Sequence, residues 1–292
     1  LAHLNRTLDA GGELTQWGAA LSDQEALTTA LSDRGQVFEA LDDPESACRD
    51  YQRAAAVIEE SLEREEKVEW LRRLVNILRM QGAVARRSSG AARAVEIYAE
   101  MERYATRVYG DTGDHRDLRD LAFAVSQRAD CLHEAMGPAE ACDPYDSAVE
   151  ALSSLVQAGA VDLRPELAKA LDGRCRANRD RGNVDAALMD NERSVAVWST
   201  VESAGDLASA WMTRCHLLDR AGRTREALVA CDRALQATVA VGSSQQGRAL
   251  YLVTQSRLRL QCDDAAGAAA SAAQAIALLE GCADLETDRT LR

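Results

Sequence analysis

One spacing of small and apolar residues recurs six times along this chain of 292 residues. In each copy an anchor residue, small in most copies, is followed by an apolar residue at +3 in most copies, by an alanine at +12, by a residue of varying size at +16 and by a mostly small residue at +19. The anchors are Gly35, Gly82, Ala129, Cys175, Cys215 and Ser256. Small residues at these offsets allow two helices to pack closely, so each copy predicts an antiparallel pair of helices joined by a short turn.

The clearest copy extends from Trp211 to Leu235, where Ala227, Cys231 and Ala234 follow the anchor Cys215. It resembles the tetratricopeptide repeat (TPR), which has a Trp and a small residue on one helix and Ala at fixed positions on the second. The anchors lie 40 to 47 residues apart, more than the usual 34 of the family. The repeats are therefore elongated, somewhat like those of the kinesin light-chain type, whose linker the segment 110–115 also resembles.

The resemblance implies an all-α fold, a right-handed α-solenoid of antiparallel helix pairs. Composition agrees with helices, because the chain is 47% hydrophobic but only 4% aromatic and contains four prolines. Alanine-rich contacts suit closely stacked helices, and β-branched runs that would favour strands are scarce. We therefore expect essentially no sheet.

Turn residues place the six pairs at about 23–62, 64–109, 114–158, 164–202, 206–241 and 245–282. Residues 1–22 are interpreted as a partial helix of a preceding truncated repeat, and residues 283–292 as a polar tail. We expect a loop at 110–115 and Pro44 in the first turn of a helix. The join at 59–69 has no Gly or Pro, so either Ser61 hosts a short turn or one long helix continues and bends.

Charge and cysteine usage exclude several kinds of partner. A net charge of −13 argues against nucleic acid, which requires a basic face. No apolar run approaches the ~20 residues needed to cross a membrane. The eight cysteines include no C-x-x-C pair, and five occupy positions near the small residues of the repeat. We expect free thiols in a bacterial cytoplasm.

The sequence lacks the components of a catalytic or cofactor site. The histidines His3, His115, His133 and His216 stand in no metal motif, and no phosphate-binding glycine loop is present. Cys131 and His133, like Cys215 and His216, are too close in sequence to face each other on a helix. We therefore predict a protein that is not an enzyme and that has no cofactor or metal.

In TPR proteins the first helix of each pair lines the concave groove, and the resemblance carries this role to fixed offsets from each anchor. The predicted partner-binding residues are Asn76, Arg79, Arg86, Arg87, Asp130, His133, Lys169, Arg176, Arg179, His216, Arg220 and Arg257. The same offsets in the sixth copy include Leu250, Val253 and Leu260. Because Arg binds carboxylates with paired hydrogen bonds, these residues suit an acidic or C-terminal peptide.

The alternative is that these arginines pair with Asp172, Asp180 and Asp219 and serve solubility. Four further arginines directly precede an anchor: Arg34, Arg128, Arg174 and Arg214. We expect them to cross the helix packing and to bond the adjacent repeat.

The expected function is therefore a protein–protein interaction scaffold, a region of a larger bacterial regulatory protein. Two alternatives remain open. One is a sensor that binds a small signalling ligand or peptide and controls a missing effector domain, and the other is a module for self-association.

Overall fold

Twelve α-helices make up the computed structural model, which describes residues 21–65, 67–241 and 245–290. The helices are α1 (Leu21–Ala40), α2 (Pro44–Arg64), α3 (Val68–Ser88), α4 (Ala91–Thr112), α5 (His115–Met136), α6 (Pro138–Gln157), α7 (Arg164–Asp180), α8 (Val184–Trp198), α9 (Ala204–Arg220), α10 (Thr224–Val241), α11 (Gln245–Gln261) and α12 (Ala265–Thr290). These ranges contain no strand, so the all-α prediction is confirmed. The predicted partial helix at 1–22 lies almost wholly outside the described residues.

The chain divides into two compact units, Leu1–Ala160 and Val161–Arg292. Unit 1 contains α1 to α6 and unit 2 contains α7 to α12. Within each unit every helix packs against the next, so each unit is a stack of three antiparallel helix pairs. We call α1, α3, α5, α7, α9 and α11 the first helices of their pairs, and the others the second helices.

The repeated small residues lie where the helices of each pair meet. The alanine at +12 is at most 6% exposed in all six pairs. In unit 1 the +16 position carries Tyr51, Tyr98 and Tyr145, each at most 1% exposed. A β-carbon added to Gly35 would lie 2.6 Å from Cε1 of Tyr51, and one added to Gly82 would lie 2.7 Å from Cε1 of Tyr98. The anchor is small because the tyrosine ring occupies the space beside it.

At the join 59–69 the structure follows neither of the two alternatives. Helix α2 continues through Ser61 to Arg64, and the extended backbone of Glu65 ends it. Ser61 is fully buried and donates to Gln24 Oε1 at 3.0 Å, so it packs inside the pair instead of forming a turn. The loop expected at 110–115 is shorter, because α4 continues to Thr112 and only Gly113 adopts a left-handed φ of 63°.

Pro44 lies in the first turn of α2 as predicted, after Asp43, whose side chain accepts from the Ser46 backbone N–H. At the C-terminal end, α12 continues to Thr290, so residues 283–290, which were predicted to be part of a polar tail, are helical. No helix of the described chain combines the length and the apolar character needed to cross a membrane.

Candidate functional site

The twelve predicted partner-binding residues all lie on first helices. Six are in unit 1, on α3 and α5, and six are in unit 2, on α7, α9 and α11. We call the surface that these positions form in each unit its first-helix face. The two faces are described separately.

In unit 1 the predicted arginines are joined to carboxylates of neighbouring pairs. Arg86 Nε lies 2.9 Å from Glu134 Oε2 on α5, and Arg87 Nη2 lies 2.5 Å from Glu39 Oε2 on α1. Arg79 forms an ion pair with Asp120 of α5. Its guanidinium also lies over the ring of Phe123, 4.6 Å from the centroid.

Two ion pairs that the sequence did not indicate complete this pattern. Arg72 donates to both carboxylate oxygens of Asp117, at 2.9 and 2.8 Å, and Arg73 pairs with Glu25. Ion pairs therefore connect α1 to α3 and α3 to α5 across the first-helix face. In unit 1 the arginines connect successive pairs, which is closer to the alternative interpretation than to a vacant binding groove.

The other predicted residues of unit 1 are less uniform. Asp130 accepts a hydrogen bond from the Tyr145 hydroxyl on α6, so its carboxylate is held within its own pair. His133 is half-buried, whereas Asn76 is exposed. The charge of Asp130 also acts on Arg86.

In unit 2 the first-helix face keeps more cationic groups exposed. Arg257 on α11 donates to Asp219 on α9 at 2.8 Å, and Arg179 pairs with its neighbour Asp180 at 2.8 Å. Lys169 and Arg220 are exposed and make no ion pair with the described residues. Arg176 is also exposed.

His216 shows that first helices of unit 2 come together on this face. Local desolvation and then the charge of Arg257 lower the pKa of His216, and Asp219 and Arg179 also act on it. The imidazole is therefore neutral near pH 7, so it adds no positive charge to the electrostatic potential of the first-helix face. The oxygens of Asp172 accept from Ser194 and from Trp198 Nε1, and the charge of Arg176 also acts on this carboxylate.

An apolar stripe on α11 was not selected among the predicted site residues. Leu250, Val253 and Leu260 are 66%, 52% and 63% exposed and lie on the side of α11 that carries Arg257. Their spacing of three and seven residues places them on one helix face. The signal is present in the sequence, since these residues occupy the groove offsets of the sixth copy.

The four arginines that precede an anchor divide into two groups. Arg34 reaches Asp50, and Arg174 reaches Asp190, each on the second helix of its own pair. Arg128 lies 3.0 Å from Glu102, and Arg214 lies 3.5 Å from Glu192, both on the preceding pair. The expected bonds to an adjacent repeat are therefore present for Arg128 and Arg214, whereas the ion pairs of Arg34 and Arg174 lie within their own helix pairs.

The reason for the division is the residue sixteen positions later. That residue is Asp50 or Asp190 for the first group, but Pro144 or Ala230 for the second. Where the second helix of the same pair has no carboxylate at this position, the guanidinium forms an ion pair with a glutamate of the preceding pair. Gln255, which replaces arginine in the sixth copy, does both, contacting Ser271 of its own pair and Asp232 of the preceding one.

The described part of the chain contains no group of three or more His, Cys, Asp or Glu side chains that could hold a metal ion. The seven cysteines that can be assessed are free thiols. Burial raises the pKa of Cys131 to about 11 and that of Cys175 to about 12, which keeps both protonated at neutral pH.

Comparison with solved structures identifies proteins of the same fold. BtubC (BKLC) from P. vanneervenii aligns with a TM-score of 0.63 at 18% identity, over 83% of this chain and 91% of that one. TPR-like repeats of a kinesin light chain from Podosopora anserina align with a TM-score of 0.56 at 14% identity, over 74% and 98%. A signal transduction ATPase with numerous domains from Pyrococcus horikoshii, which has a tetratricopeptide repeat sensor, aligns at 0.68 and 8% identity, over 95% and 43%.

No family model and no curated protein matches the sequence. At these sequence identities the structural similarity establishes the fold of this chain. It does not transfer the activities of those proteins to it. Three observations indicate the same fold: the stacked helix pairs, the buried alanine at +12 and the structural neighbours. The chain therefore has the fold of the tetratricopeptide-repeat proteins, the family that its repeated spacing resembles.

Proposed function

We propose that the chain is a protein-interaction scaffold, and that the first-helix face of unit 2 binds a segment of a partner protein. The observation that carries this proposal is the exposed apolar stripe Leu250, Val253 and Leu260 on α11. Exposed apolar side chains that share one face of a helix are typical of a surface that another chain covers. A solvated face would carry polar residues at these positions.

The charges on the first-helix face of unit 2 indicate the chemistry of the partner segment. Lys169, Arg220 and the exposed Arg176 give the face a cationic character within a chain of net charge −13. A segment with apolar residues in register with the leucines and acidic residues alongside them would satisfy both features. The twelve predicted residues remain candidates, and those of unit 2 rank above the ion-paired arginines of unit 1.

The test is photo-crosslinking in the cells that express this protein, with a photoreactive amino acid at position 250 or 260 of the intact protein. The expected result is that both positions crosslink to the same partner. Binding of that purified partner should then weaken at least about tenfold in Leu250→Asp or Leu260→Asp, because a carboxylate would be buried without a partner.

Val229 supplies the matched control, since it is 57% exposed but lies on α10, a second helix. Crosslinking at position 229 should not capture the partner, and Val229→Asp should change its affinity less than about twofold. Capture through position 229, or unchanged binding by the leucine variants, would remove the first-helix face of unit 2 as the site.

Self-association is a second candidate, and the observation that favours it is on α12. Ile276 and Leu279 are 55% and 45% exposed and three residues apart, so they form a small apolar patch on the last helix. Sedimentation at increasing protein concentration tests this candidate. A mass that rises with concentration and is restored to that of the monomer by Ile276→Asp would support it.

A sensor role is the third candidate. One structural neighbour is a signal transduction protein with a tetratricopeptide repeat sensor, and this chain spans 43% of its length. In that role the same face of unit 2 would bind a signalling peptide and control an effector domain. For each candidate we propose a location in the cytoplasm of a bacterium, and a role without catalysis.

A further inference from the structure

A polar cavity of about 360 Å³ lies in unit 2 between α10, α11 and α12. It is lined by Asp232, Leu235, Gln236, Arg248, Leu252, Gln255, Arg259, Ser271 and Gln274. The residues from α11 are spaced by four, three and four positions and so share one side of that helix. This side is roughly 150° around the helix from the leucine stripe, at about 100° per residue. The cavity is therefore separate from the first-helix face.

Most polar groups of the cavity wall are held in place by one another. Gln255 donates to Asp232 Oδ1 at 2.5 Å and accepts from the Ser271 hydroxyl at 2.6 Å. Arg259 donates from Nη1 to the carbonyl of Gly267 at 3.1 Å. These bonds fix the positions of the polar side chains that make them.

Arg248 has a buried donor that these bonds do not include. Its Nε is buried, and no described residue accepts a hydrogen bond from it. A buried guanidinium donor left without an acceptor destabilises the protein, and such groups are ordinarily paired. The arginine is also accompanied by Arg259, so the positive charge in the cavity exceeds that of the single carboxylate, Asp232.

Unit 1 has a cavity at the corresponding place, and its lining shows which residues the packing of the helices alone requires there. A cavity of about 210 Å³ lies between α4, α5 and α6 and is lined mainly by Leu, Val and Ala. Eight and four residues before the anchor, unit 1 has Leu121 and Val125, whereas unit 2 has Arg248 and Leu252. The arginine is therefore not a demand of the fold at this position.

We propose that the cavity of unit 2 binds a small organic carboxylate. The carboxylate accepts hydrogen bonds from Arg248, and the apolar part of the molecule lies on Leu235 and Leu252. A volume of about 360 Å³ falls within the range of small-molecule sites, roughly 300–1,000 Å³. The two leucines favour an organic anion over an inorganic one, which would leave apolar surface uncovered. This site is independent of the partner-binding face.

The experiment is isothermal titration of the full chain with 4-methylpentanoate at low ionic strength. Its uncharged amide, 4-methylpentanamide, is the probe of matched shape, and inorganic phosphate is the anion without an apolar part. The expected result is saturable binding of one carboxylate per chain with a dissociation constant on the order of 1 mM. The amide and phosphate should bind at least about tenfold more weakly.

Three variants test the assignment to Arg248. Arg248→Gln should weaken carboxylate binding at least about tenfold, and Arg248→Lys should give a smaller loss, because Lys retains the charge without the planar pair of donors. Arg225→Gln, at an exposed arginine of α10 that belongs neither to the cavity lining nor to the predicted partner-binding residues, is the matched control and should change binding less than about twofold. The melting temperature of Arg248→Gln without ligand should not fall, since its Nε has no bond to lose.

The proposal is overturned if the amide or phosphate binds as tightly as the carboxylate. It is also overturned if Arg248→Gln binds normally or if Arg225→Gln shows the same loss. Should Arg248→Gln fail to fold, the contrast between carboxylate and amide, together with Arg248→Lys, decides the matter. None of these measurements involves the proposed protein partner, so failure here leaves the partner-binding proposal standing.

Discussion

Arg34 and Asp50 form a two-pronged ion pair between α1 and α2, with Nε–Oδ2 and Nη2–Oδ1 both at 2.6 Å. The Asp50 side chain is 7% exposed and that of Arg34 is 19% exposed, so water screens the pair poorly. Arg174 and Asp190 repeat the arrangement in unit 2, where Asn178 also donates to Asp190 at 3.0 Å. Each arginine directly precedes its anchor in the sequence, so an ion pair accompanies the close helix contact in these two pairs.

Replacing Arg34 by Ala should destabilise unit 1 by about 3 kcal/mol, because the buried Asp50 carboxylate would lose its counter-charge. The measurement is urea or thermal unfolding followed by circular dichroism. Arg93→Ala is the control within the same unit, since Arg93 pairs with Glu96 where both side chains are about half exposed or more. Its cost should be below about 0.5 kcal/mol. Equal losses for the two variants would contradict the importance of burial.

Gly82→Ala should also destabilise unit 1. The added β-carbon would meet Cε1 and Cζ of Tyr98 at 2.7 Å, and that ring is buried and packed edge-on against Phe123. Overpacking costs about 1–3 kcal/mol, which outweighs the gain of up to about 1 kcal/mol from replacing glycine in a helix. Thermal unfolding measures the difference.

Gly110 is the matched control for this substitution, because it lies in helix α4 and nothing is within 4 Å of its added β-carbon. Gly110→Ala should leave the melting temperature unchanged or raise it. If Gly82→Ala were equally harmless, the tyrosine ring could not be what requires a small anchor.

Cysteine reactivity should follow burial. Cys131, Cys175, Cys215 and Cys231 are 0% exposed, whereas Cys48, Cys142 and Cys262 are half-buried. With a thiol-specific reagent at pH 8, the half-buried group should react first, and the buried group only as the protein unfolds. In denaturant without reductant all eight thiols of the chain should titrate. Fewer than eight, with disulfide-linked peptides by mass spectrometry, would contradict a reducing compartment.

The stability of unit 1 should fall in acid, in part through Asp117. Hydrogen bonds from Arg72 hold the pKa of this carboxyl below its ordinary value of 3.8. A carboxyl whose pKa is lower in the folded state stabilises the protein fully above the unfolded value, and this contribution is lost as the pH falls through the folded value. The melting temperature should therefore decrease below about pH 4.

In Arg72→Gln the melting temperature should be lower than in the unaltered protein at pH 7, and the gap should narrow below pH 3.8. Arg93→Gln, from an exposed pair, should show little difference at either pH. A gap for Arg72→Gln that stays constant between pH 7 and pH 3 would show that the lost bonds do not act through the ionised carboxylate.

The sequence by itself determined the helix pairs and their register. Alanine at +12 and a small anchor recur because two helices can approach closely only where the side chains between them are short, and this constraint leaves a periodic trace in the chain. All six of these alanines are buried. The predicted position of Pro44 followed equally from local chemistry, since proline lacks the N–H that a first helical turn leaves unpaired.

Only the tertiary structure decided which carboxylate each arginine meets. Arg34 and Arg128 occupy the same position relative to their anchors, yet Arg34 pairs within its own helix pair and Arg128 with Glu102 of the preceding one. A long side chain can reach several helices, and the choice depends on which of them presents a carboxylate at that height. The same holds for Arg86 and Arg87, whose partners lie 48 residues away in opposite directions along the chain. Local pattern fixes helices because their bonds are local, whereas charge pairing depends on the spacing between helices, which exists only once they have packed.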